Sequence, residues 1–137
     1  MNLRNLSLAA LPVLAVACAP VEQATQANPT AGAPAVNVLG APKQCLTRSQ
    51  IRQTAVRSDW VIDFEMNGGD VYRSILPQRC PGLSFEEAIT YETSLNQLCT
   101  TQIVYALQDY GGVLQRGAGC TLGEFVPVEY VKKVKGE

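Results

Sequence analysis

The chain has 137 residues, 47% of them hydrophobic, and a formal net charge of −1; that is enough for one buried core and too little for two. The balanced charge gives no electrostatic reason for a surface built to neutralise phosphates, so no nucleic-acid partner is expected. Histidine is absent, which removes Ser-His-Asp and Cys-His catalysis in their usual forms and every histidine-containing zinc site.

Met1 to Arg4 is a short polar start with one positive charge, Leu6 to Val16 is apolar except for Ser7, and Ala15-Val16-Ala17 precedes Cys18. These are the three parts of a secretory signal peptide, assigned to residues 1–17. The apolar run of 11 residues falls short of the roughly 20 that a spanning helix needs, and Pro12 weakens it further. Leu14-Ala15-Val16-Ala17-Cys18 resembles the lipobox of bacterial lipoproteins, with leucine one place further from the cysteine than is usual there. The resemblance implies that Cys18 becomes the acylated first residue, a palmitate-bearing membrane anchor. The alternative is ordinary cleavage after Ala17 and a soluble periplasmic or secreted protein. Cysteine arithmetic favours the anchor: of five cysteines, setting Cys18 aside leaves four, an even number suited to disulfides in an oxidising compartment. Lipoproteins retained in the inner membrane carry aspartate after the cysteine. Ala19 stands there, and by the same resemblance it implies an outer-membrane lipoprotein facing the periplasm or the exterior.

Residues 18–44 read as the lipidated cysteine and a flexible linker. Ala19 to Lys43 is rich in Ala, Pro, Thr, Gln, Asn and Gly, with little large and apolar beyond Val36, Val38 and Leu39, and cannot bury a core. Such a chain spans roughly 25 to 30 Å on average, which suits a tether.

From Cys45 the composition changes, and residues 45–130 read as a β-domain. Ser49 to Val56 fits either a short helix capped by Ser49 or a strand over its later half; the strand is the expectation here. Trp60-Val-Ile-Asp-Phe-Glu-Met66 and Val71-Tyr-Arg-Ser-Ile-Leu76 flank Asn67-Gly68-Gly69-Asp70, the pattern of a β-hairpin. Alternation puts Trp60, Ile62, Phe64 and Met66 on a buried face and points Asp63 and Glu65 the other way. Pro77, Pro81 and Gly82 break regular structure around Cys80, and Phe85 to Ala88 fits one helical turn. Ile89 to Thr93 and Gln102 to Leu107 read as the fourth and fifth strands, with a turn at Ser94-Leu95-Asn96. The glycine-rich passage Gly117 to Cys120 leads to a sixth strand, Glu124 to Val128, which Pro127 should confine to an edge or terminate. Residues 131–137 form a basic C-terminal tail. The fold class is all-β: a small antiparallel sheet or barrel of about six strands stapled by two disulfides, behind a signal peptide and a disordered tether.

Four segments carry a resemblance: Val61 to Met66, Arg79-Cys-Pro-Gly-Leu83, Tyr91 to Cys99, and Cys120 to Val128. They resemble a family of small, uncharacterised, secreted or lipidated bacterial envelope proteins classed as a domain of unknown function. The resemblance covers Cys45 to about Val128 and implies an envelope location and four paired cysteines, with no activity to carry over. Thr100-Thr101-Gln102 stands where relatives often have an acidic residue after the cysteine.

Several residues invite a chemical reading. Asp63 and Glu65 share a strand face about 7 Å apart, which is raw material for a glycosidase pair; a solvated strand face with Arg73 as cross-strand ion partner is the expectation instead. The four cysteines of the β-domain lack the close pairs of a structural zinc site, so no metal is expected. The glycine segment has neither the lysine nor the helix of a phosphate loop, and no cofactor is expected. Tyr72, Tyr91, Tyr105, Tyr110 and Trp60 suit a sugar or peptide groove or, more simply, the core and its rim. Six arginines (48, 52, 57, 73, 79 and 116) would bind an anionic envelope component if they converged.

Three disulfide connectivities are open. If consecutive strands run up and down, Cys45 and Cys99 lie at one end of the sheet and Cys80 and Cys120 at the other. A disulfide needs Cα atoms within about 7 Å, so the expected pairs are Cys45–Cys99 and Cys80–Cys120, each contributing roughly 4 kcal/mol through loop closure. The functional expectation is a non-catalytic envelope lipoprotein that binds or supports an envelope protein or cell-wall component, with the membrane itself a partner through the anchor. A lipoprotein inhibitor of a cell-wall hydrolase, resembling those that block lysozyme, is the alternative, with Asn67 to Asp70 as the inserting loop. A small cell-wall-acting enzyme comes third.

Overall fold

The computed structural model describes residues 28–133. Its strands are β1 (Val36–Val38), β2 (Cys45–Thr47), β3 (Ile51–Val56), β4 (Val61–Met66), β5 (Val71–Ile75), β6 (Ile89–Tyr91), β7 (Gln97–Cys99), β8 (Ile103–Tyr110), β9 (Val113–Thr121) and β10 (Phe125–Tyr130). One helical turn, α1 (Leu83–Glu86), and one 3-10 turn, Arg48–Gln50, complete it. The strands form three antiparallel sheets: β1-β10-β5-β4-β3, β2-β7 and β6-β8-β9. The all-β class and its two disulfides hold, as an open arrangement of sheets and not a closed barrel.

The hairpin is the middle of the large sheet. Met66 N donates to Asp70 O and Gly69 N to Met66 O, and Gly69 takes φ 91°, a conformation open to glycine at no steric cost. Cross-strand register aligns Val56, Ile62, Ser74 and Phe125 in one row and Thr54, Phe64, Tyr72 and Pro127 in the next. These rows face the two smaller sheets. Between them lie Ile62, Phe64 and Phe125, closed over by Leu46, Leu98, Val104, Ala106 and Leu83. Trp60, expected in the same face, lies just before β4 and is half-buried.

Four strands escaped the sequence reading, and each has a physical reason. β1 lies in the expected linker: Val36 to Val38 pair with Tyr130 to Val128, and Lys43 and Phe125 exchange both backbone bonds. The folded part therefore begins before Cys45, because three residues with only two valines are held by the edge of β10 and not by a core of their own. β2 and β7 are also three residues each and pair with one another. β9 contains the glycine-rich passage. A Cβ on Gly117 would lie 2.8 Å from the Gln108 side chain, and one on Gly119 would lie 3.1 Å from the Tyr105 ring. These glycines are thus strand positions over which β8 side chains fold, and not a loop.

Pro127 corrects a second expectation. β10 is neither an edge nor ended there; it runs to Tyr130 between β1 and β5. The N–H and C=O of a strand residue point to the same side, and Pro127 O accepts from Leu39 N. The missing donor thus faces Leu39, just past the end of β1, and the ladder with β5 on the other side is untouched.

Both disulfides join the expected partners. Cys45 and Cys99 stand directly opposite in the β2–β7 ladder, with Cα atoms 4.0 Å apart. Cys80, fully buried, reaches Cys120 with Cα atoms 5.7 Å apart and ties the segment after β5 to β9. The local setting differs from the expectation, since Cys120 lies inside a strand and not in a loop.

Gly123, two residues before β10, passes close against the end of β5. A Cβ there would fall 1.9 Å from Ile75 O, a contact with backbone that no side-chain rotation relieves. Gly123→Ala is expected to cost about 1 to 3 kcal/mol as overpacking. Urea unfolding should show a lower midpoint at an unchanged slope; an unaltered midpoint would mean that this approach is looser.

Candidate functional site

The face of the large sheet turned away from the core was expected to be solvated, and here the structure departs most from that reading. Val61, Asp63 and Val128 are buried and Arg73 is 4% exposed. The N-terminal segment covers them: Arg73 Nη1 donates to Pro34 O at 2.8 Å, and Val131 N donates to Ala35 O.

Asp63 is the centre of this face. Arg73 Nε donates to Oδ1 at 2.7 Å and Arg73 Nη2 to Oδ2 at 2.9 Å, the bidentate fork that a guanidinium forms on a carboxylate. Arg57 Nε at 3.0 Å and the Tyr130 hydroxyl at 2.9 Å also donate to Oδ2, and Arg57 Nη2 donates to the Tyr130 oxygen at 2.7 Å. Burial pushes the Asp63 carboxyl up, but the bonds from Arg73, Tyr130 and Arg57 outweigh it and hold it below its ordinary value. Burial likewise raises the Tyr130 hydroxyl, helped by the adjoining carboxylate and opposed by Arg57.

Along the same face a groove of about 530 Å³ opens between the N-terminal segment and the sheet. Ala33 to Val36 form one wall, and Ile75, Val126 and Val128 belong to the other, with Arg73 also in the lining. A second cleft, about 280 Å³, lies beside the hairpin loop between Lys43, Gln50, Gly68 and Asp70. The loop itself, Asn67 to Asp70, is exposed and anchored at its base, since Asn67 N bonds Gln50 O and its side-chain amide bonds Ser49 O.

The other sequence candidates fall as follows. Cys18 lies outside the described residues. The pairing of Asp63 with Arg73 is as expected, but Asp63 is sealed from solvent and Glu65 is bonded to Arg52 at 2.7 Å. Neither carboxylate is set up as the free acid of a glycosidase pair. The arginines do not converge on an open site: Arg57 and Arg73 meet on Asp63, Arg79 pairs with Asp59, and Arg116 with Glu92. Nor do the aromatics gather in one groove. Tyr72 is core and alone of them reaches the cleft beside the hairpin loop, Tyr91 packs against the core, Tyr105 lies under Arg116, and Tyr110 is exposed. Among the described residues no three His, Cys, Asp or Glu side chains gather to hold a metal, and no helix is long and apolar enough to cross a membrane.

Tyr130, and the segment from Asn28 to Val38, were missed. The alternation Val126, Val128, Tyr130 past Pro127 was the available signal for the first, and Val36-Asn37-Val38 for the second. No protein-family model matches the chain, and neither a curated protein nor a solved structure matches it.

Proposed function

We propose that this chain is a lipid-anchored module of a bacterial outer membrane that binds another envelope component and carries out no reaction of its own. The cysteine pairing carries the proposal. Cys45–Cys99 and Cys80–Cys120 use four of the five cysteines, as befits an oxidising compartment, and the fifth is Cys18, directly after Leu14-Ala15-Val16-Ala17. The resemblance to small envelope proteins points the same way. Binding is favoured over turnover by the outer face, where an apolar groove adjoins a carboxylate already saturated with donors.

Mass spectrometry of the mature amino-terminal peptide is expected to show acylated Cys18; an unmodified peptide beginning at Cys18 or later would sink the anchor. Cys18→Ser should move the protein from the membrane to the soluble fraction without altering its β-sheet circular dichroism, because the described strands run from Val36 to Tyr130 and do not include it. Cross-linking in cells should recover an envelope protein or cell-wall fragment. Recovery of an exogenous lysozyme, lost on shortening Asn67 to Asp70, would favour the inhibitor reading, which the exposed and anchored loop supports. Turnover of cell-wall fragments by the purified chain would overturn the non-catalytic one.

A further inference from the structure

The groove on the outer face is walled almost wholly by aliphatic groups, among them Ala33, Ala35, Val36, Ile75, Val126 and Val128. Ile75 is 37% exposed, so apolar surface at the end of the central strand faces outward instead of being covered. A groove of about 530 Å³ lies within the roughly 300 to 1,000 Å³ of small-molecule pockets, and its aliphatic lining suits a hydrocarbon chain such as a fatty acyl group.

Connectivity says which chain. Thr30 lines the groove, and Cys18 stands twelve residues before it. Twelve residues reach at most about 40 Å when extended, so a group on Cys18 stays within that distance of the groove, and being tethered favours it over an acyl chain diffusing in from elsewhere. We infer that one acyl chain of Cys18 lies in this groove, an inference that rests on the acylation proposed above. In leaving the bilayer the chain exchanges one apolar surrounding for another, so groove and membrane compete for it on comparable terms. Since the hold of a lipidated protein on a membrane grows with each inserted chain, filling the groove weakens attachment and emptying it strengthens attachment.

The test uses the full chain produced in bacteria fed a diazirine-bearing fatty acid. The intact mass first reports whether Cys18 is acylated; irradiation and peptide mapping then report where the chain lies. Cross-links are expected at Val36, Val38, Val126 and Val128, which line the groove and not the neighbouring cleft, and Ile75→Glu, which places a charge in the groove from a partly exposed position, should reduce them fivefold or more. Val126→Glu is the second variant, with near-ultraviolet circular dichroism confirming that each remains folded. An acylated protein whose cross-links fall only on lipid, or on the neighbouring cleft of Gly32, Val131 and Lys133, overturns the inference and leaves the anchor standing. Absence of acylation in the intact mass overturns both. Free palmitate bound by the Cys18→Ser form, with no groove cross-link in the acylated one, assigns the groove to an outside lipid and likewise overturns it.

Discussion

Replacing Phe64 by alanine is expected to lower the unfolding free energy by about 3 to 5 kcal/mol, the range for deleting a buried aromatic ring. The ring is fully buried and meets Phe125 edge-on, with centroids 5.3 Å apart and planes at 82°. That geometry adds roughly 0.5 to 1.5 kcal/mol beyond area burial. Backbone pairing on both sides, to Thr54 and to Tyr72, prevents the strand from shifting to fill the space. A domain of this size has about 5 to 15 kcal/mol in total, so the variant keeps only part of its stability, and both disulfides restrain what unfolds. Urea denaturation of the oxidised protein measures the loss. A change below about 1 kcal/mol, typical of a surface position, would show that the core does not lie on this face of β4.

The hairpin was legible because its signal is local: alternating apolar residues on both sides of Asn67-Gly68-Gly69-Asp70 fix strands, turn and register together. The buried face followed, with Ile62 and Phe64 where alternation put them. The disulfide pairs were legible too, although through a strand count that was incomplete; the errors left Cys45 with Cys99 and Cys80 with Cys120 at opposite ends. Other features were illegible because their cause is not local. Val36 to Val38 become a strand only because β10 offers them an edge. Asp63 alternates like a solvated residue with Arg73 as its cross-strand partner, and nothing nearby in sequence reveals that Arg57 and Tyr130 will join them and that Pro34 will cover them. An exposed sheet face and a covered one read alike until the covering segment is known, and here that segment has the composition of a linker.

That enclosure sets the second large effect. Asp63→Ala is expected to cost about 3 to 5 kcal/mol, the cost of removing one partner from a buried ion pair. The Arg73 side chain, 5% exposed, would keep its charge with Pro34 O as its remaining partner of those described. Arg57 would keep, among the described residues, the Tyr130 hydroxyl. Replacing Asp63 and Arg73 together by leucine and methionine should recover much of the loss, because a buried pair is nearly neutral against apolar groups of similar volume. The same carboxylate governs acid stability. Its folded-state pKa is depressed, so the native state binds its proton less readily than the unfolded chain does. Its contribution is complete above the ordinary value of 3.8 and drains away as pH falls below that value towards the depressed one. Asp59 acts in the same sense: burial raises its carboxyl, but Ser84 and Arg79 bring it below its ordinary value. Stability measured against pH should therefore fall below about pH 4, and Asp63→Asn should flatten that fall while Asp59 retains its share. An acid limb equally steep in the Asp63→Asn protein would mean that the Asp63 carboxylate is not held ionised by Arg73, Arg57 and Tyr130.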